Sequence, residues 1–72
     1  MKTYVKFQFS SEGIAPLDVV KEMKNMGFKP EVGEFDFSIE WETPTEYGEI
    51  IRMLHKRLYG FKVMYSLFTR EI

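Results

Sequence analysis

His55 is the sole histidine of the chain, and no cysteine occurs. A thiol nucleophile, a zinc knuckle, a histidine cluster and a disulfide framework are excluded by count alone. His55 falls at the border of the buried stripe of a helix and reads as a boundary residue. Carboxylates are the other reactive groups. Asp36, Glu40 and Glu42 alternate onto one side of a strand, yet positions 36 and 40 lie about 13 Å apart along it. One ion cannot span that distance, and Glu40 with Glu42 supplies too few oxygens for a site. Lys2 and Lys6 on the first strand make cross-strand charge pairing the plainer account. With no nucleophile–base pair and no metal set to assemble, the expectation is a chain without catalytic activity and without a cofactor.

The elements that carry these residues follow from periodicity. YVKFQFS (4–10) alternates, with Val5, Phe7 and Phe9 on one side and Tyr4, Lys6 and Gln8 on the other, as a half-buried strand does. PLDVVKEMKNM (16–26) gathers Leu17, Val19, Val20, Met23 and Met26 on one helical face. Pro16 suits its first turn, and Gly27 suits the left-handed residue after it. FKPEVGEFDFSIEW (28–41) reads as a hairpin turning at Gly33-Glu34. That register sets Val32 against Phe35, Pro30 against Phe37 and Phe28 against Ile39, all on one face. Pro30 cannot donate to a ladder, so its strand belongs at a sheet edge. Thr43-Pro44-Thr45-Glu46 is a capping box with proline at the first helical position. The helix it opens runs to about Tyr59 and buries Tyr47, Ile50, Ile51, Leu54 and Leu58. After Gly60, FKVMYSLFTR alternates again, with Phe61, Val63, Tyr65 and Leu67 inward and Met64 and Phe68 outward.

Strand, helix, strand, strand, helix, strand makes an α+β domain over residues 1–72. It resembles the ferredoxin-like superfold, a βαββαβ sandwich whose antiparallel sheet runs 4-1-3-2 with both helices on one face. In that order the second strand is an edge, as Pro30 requires. The resemblance is one of topology, and the fold hosts many unrelated functions. RNA-recognition motifs of this fold stack bases on aromatics that face outward from strands one and three. Here Phe35, Phe37, Ile39 and Trp41 are expected to point inward, and strand three shows carboxylates outward. Nucleic-acid binding across the sheet face is therefore not expected. In ACT regulatory domains, also ferredoxin-like, a glycine before the first helix serves a ligand site. Gly13 in SSEGIAP resembles it, implying a small anionic ligand held at the helix N-terminus. The acidic-then-proline-glycine pattern of those domains is missing, and a plain connection is the simpler reading.

Two surfaces remain. Arg52, Lys56 and Tyr59 share the solvent side of the second helix, with Lys62 and Arg70 on the last strand and Arg57 near the helix end. Such a patch fits phosphates or an acidic protein surface, although Glu49 at i,i+3 would neutralise Arg52 and leave an ordinary charged face. Tyr4, Met64 and Phe68 point to the open sheet face on adjacent strands and form a candidate contact surface. The expected function is contact with a protein partner or with a second copy of the chain; nucleic acid at the basic patch is the alternative.

Composition agrees with one small packed domain. Seventy-two residues include seven Phe, four Tyr and one Trp, and net charge is −1. Charge is unevenly placed: residues 31–49 carry seven acids and no base, and residues 50–72 carry five bases and one acid. Single Asn and Gln residues among many Lys and Glu lean towards a thermophile composition. No run approaches the ~20 apolar residues of a membrane span. An alternating strand, rather than a basic-then-apolar leader, follows Met1, so a cytoplasmic location is expected.

Overall fold

The computed structural model describes residues 1–9, 16–61 and 63–71. The loop around Gly13, Lys62 and the side chain of Phe9 lie outside the described residues. The chain folds as β1 (Lys2–Phe9), α1 (Pro16–Asn25), β2 (Lys29–Pro30), β3 (Phe37–Glu40), α2 (Pro44–Leu58) and β4 (Val63–Arg70). The four strands form one antiparallel sheet in the order β2-β3-β1-β4, the ferredoxin-like arrangement. Among the described residues no helix is long and apolar enough to cross a membrane.

Alternation in β1 places Val5 and Phe7 in the core, where they meet Val19 and Met23 of α1, Leu54 and Leu58 of α2, Phe28 and Phe37. Met23, Leu54, Val5 and Val19 are essentially without exposure. Leu17 departs from the expected helix face and is exposed. It is the second residue of α1, in the first turn of the helix. Phe61, Val63, Tyr65 and Leu67 pack against the core from β4 and its approach, each half-buried.

The cap of α2 forms as its sequence demands. Thr43 is extended, and its hydroxyl accepts from the Glu46 amide at 3.2 Å. The Glu46 carboxylate accepts a hydrogen bond from the Thr43 hydroxyl at 3.2 Å. One orphan amide is thus satisfied, and a carboxylate sits at the positive end of the helix.

The hairpin register is also as expected: Lys29 pairs with Ser38 and Pro30 with Phe37. Beyond Pro30 the two strands part. Glu31 still donates to the Asp36 carbonyl at 2.9 Å, but Val32 stands fully exposed, against the expectation that it packs on Phe35. Gly33 turns the chain with φ of +103°. A Cβ there would meet nothing within 4 Å, so any penalty for substitution is conformational. Gly33→Val should cost more than about 1 kcal/mol, because a β-branched residue at positive φ is strained by about 1–3 kcal/mol. An unchanged urea midpoint with unchanged slope would show that the turn relaxes freely and that its geometry is not required.

Candidate functional site

The open face of the sheet is built from the other half of each alternation. β1 presents Lys2, Tyr4, Lys6 and Gln8, and the ladder sets Arg70, Phe68, Ser66 and Met64 of β4 directly opposite them. Tyr4 and Phe68 are therefore neighbours, as expected. Met64 lies beside Gln8, one end of the strand away, and is 71% exposed.

A third aromatic joins them that the alternation assigned to the core. Phe35 sits with its ring 4.8 Å from that of Tyr4 and 5.2 Å from that of Phe68, both tilted. The cause is a bulge at Asp36. The Asp36 amide donates to the Val5 carbonyl at 2.9 Å, although Val5 already pairs with Phe37, so two residues share one partner. Such an extra residue reverses the side-chain alternation behind it. The Asp36 carboxylate then accepts from the Phe7 amide at 2.8 Å. Asp36 thus reaches the β1 backbone rather than a lysine. Phe35 turns outward, and Phe37 alone of the pair enters the core.

Cations cover the aromatic cluster. The Arg70 guanidinium lies 5.5 Å from the centroids of both Tyr4 and Phe35, and the Lys2 ammonium lies 5.2 Å from that of Tyr4. Lys2 also reaches Glu31 at 3.9 Å, and the buried Ser38 hydroxyl donates to the same carboxylate at 3.1 Å. Among the described residues no group of three His, Asp or Glu could hold a metal. A shallow groove of about 490 Å³ runs between the far ends of β1 and β4, lined by Lys6, Phe7, Gln8, Met64, Tyr65, Ser66 and Phe68.

The basic residues do not share one surface. Arg52, Lys56 and Tyr59 are exposed on α2, with Tyr59 at 80% and its ring 6.2 Å from that of His55. Arg57 bridges to Glu22 of α1 at 3.4 Å. Arg70 is committed to the aromatic cluster on the opposite side of the sheet. Among the described residues no ion pair joins Glu49 to Arg52, so the expected neutralisation within α2 is not made.

The sheet's two edges differ sharply. β2 is two residues long and ends in Pro30, whereas β4 is eight residues long without proline, and its only charge is the terminal Arg70. Comparison with protein-family models, curated proteins and solved structures yields no match to this chain.

Proposed function

We propose that this chain is a non-enzymatic module that acts through protein contact, using the β4 edge and the adjoining open face. The contrast between the edges carries the reading. Sheet proteins guard their edges with short strands, proline or charge, because an unpaired row of backbone groups recruits other chains. One edge of this sheet has both a short strand and a proline; the other has neither. The unguarded edge also carries Met64 and Phe68 exposed, 71% and 45%. A strand added there would satisfy the backbone row and cover both side chains.

Met64 is the cleaner site for a test, because Phe68 also stacks on Phe35 within its own subunit. Met64→Lys is expected to weaken association by about tenfold or more, equivalent to about 1.4 kcal/mol, with no loss of thermal stability. Sedimentation across concentration measures it. A wild-type protein that stays monomeric at high micromolar concentration and takes up no protein partner there would sink the proposal. Nucleic acid at Arg52, Lys56 and Tyr59 is the second reading, supported by the exposure of Tyr59 beside two cations that make no ion pair among the described residues. Its mark in the same assay is an RNA-dependent gain in mass that falls steeply with salt.

A further inference from the structure

We infer that the partner is a second copy of this chain, joined edge to edge through β4 in an antiparallel register centred on Ser66. The inference rests on the reading of the β4 edge above and goes on to name the occupant and its alignment. A closed pair of identical chains has a two-fold axis, so each surface must complement itself. If both sets of helices stay on one side of a continuous sheet, residues directly opposite each other must share a face. The axis then passes midway between one residue of β4 and its copy in the partner, and residues equally spaced on either side of that pair meet.

Of the centres in the middle of the strand, Tyr65, Ser66 and Leu67, only Ser66 matches the exposed side chains. About Ser66, Met64 faces the partner's Phe68, and by symmetry Phe68 faces the partner's Met64. The two most exposed apolar residues of the strand cover each other twice. Thioether sulfur against an aromatic ring is a favourable contact, and methionine adapts its shape to fill the gap. Beneath, Tyr65 faces the partner's Leu67, and both are half-buried residues of the helix-covered side. Moving the centre to Tyr65 sets Met64 against serine. Moving it to Leu67 sets Met64 against arginine. Either shift leaves Phe68 without an apolar partner. The groove lined by Lys6, Gln8, Met64, Ser66 and Phe68 gives the incoming side chains room on the open face.

Charge on the strand does not oppose this register: the Arg70 guanidinium is drawn over the Tyr4 and Phe35 rings of its own subunit. Association through Met64 and Phe68 should therefore vary little with salt, whereas binding to a polyanion would weaken steeply.

The absence of native cysteine makes the register directly testable. Residues directly opposite in an antiparallel pair have Cβ atoms about 4.5–5.5 Å apart, close to the span of a disulfide. Ser66→Cys under mild oxidation is expected to give a covalent dimer at least tenfold faster than Gln8→Cys. Gln8 is exposed on the same face but lies on β1, away from the edge. A mixture of Met64→Cys and Phe68→Cys proteins should cross-link to each other several-fold faster than either does alone. Equal rates for Ser66→Cys and Gln8→Cys would overturn the inference. Should that happen while Met64→Lys still abolishes binding to a different protein, the edge reading stands and only self-pairing is wrong. Should Met64→Lys change nothing as well, both fall.

Discussion

Phe37→Ala is expected to remove about 3–5 kcal/mol of stability, the usual cost of emptying a buried phenylalanine site. A domain of 72 residues holds roughly 4–11 kcal/mol in all. The variant should therefore lose roughly a quarter or more of that stability, with its urea midpoint lowered in proportion and the slope retained. Phe37 is 4% exposed, stands edge-on to Phe7 with ring centroids 6.1 Å apart, and pairs with both Val5 and Pro30. It touches both flanking strands and faces the helices, so the site cannot collapse without moving the sheet. Phe35→Ala provides the contrast. That ring is half-buried on the open face and touches two tilted neighbours, pairs worth about 0.5–1.5 kcal/mol each. Its loss should cost about 1–3 kcal/mol, below the cost at Phe37. If the two alanine variants prove equally unstable, the bulge at Asp36 is not formed and Phe35 belongs to the core.

That contrast marks where the sequence is legible and where it is not. Signals that need only one residue and its conformation can be read directly. Gly27, Gly33 and Gly60 all take positive φ at the ends of elements, Thr43 caps α2, and Pro30 lies on an edge strand. The pairing of Pro30 with Phe37 is also legible, because a slip by one residue would put Phe28 and Phe37 on opposite faces of the sheet. Alternation, however, assumes an unbroken ladder. Asp36 breaks it by giving its amide to a carbonyl opposite Phe37 and its carboxylate to the next amide along. The available hint was an aspartate inside a strand, where that residue is disfavoured. Reading it as one of several outward carboxylates hid the bulge. With it was hidden the third member of the aromatic cluster on the open face. The acidic character of β3 was overread for the same reason. Of the carboxylates around it, Asp36 serves the β1 backbone and Glu31 serves Ser38 and Lys2.

Buried polar chemistry is the other part that period-two reading misses. Thr3 alternates with Val5 as any strand residue does, and nothing in its position shows that it is a hub. It is 1% exposed, accepts from the Trp41 indole N–H at 2.8 Å and shares a hydrogen bond with the Thr69 hydroxyl at 2.9 Å. Thr69 is paired with it across the β1–β4 ladder, and Trp41 follows β3, with its ring 4.7 Å from that of Tyr47 on α2. One hydroxyl therefore connects three strands to the start of a helix. Thr3→Val keeps the shape of the side chain and deletes the oxygen. The indole N–H and the Thr69 hydroxyl then lose a part-buried partner, at a cost of about 0.5–1.5 kcal/mol. Trp41→Phe removes the stranded donor, so in its presence Thr3→Val should cost less by roughly 1 kcal/mol, a coupling within the range for contacting residues. Urea unfolding of the four proteins measures this difference. Tryptophan emission adds an independent reading, because Trp41 is the sole indole and its spectrum should shift when its hydrogen bond is lost. Additive losses with an unchanged spectrum would mean that Thr3 only fills space, and that Trp41 is held by Tyr47 and the backbone alone.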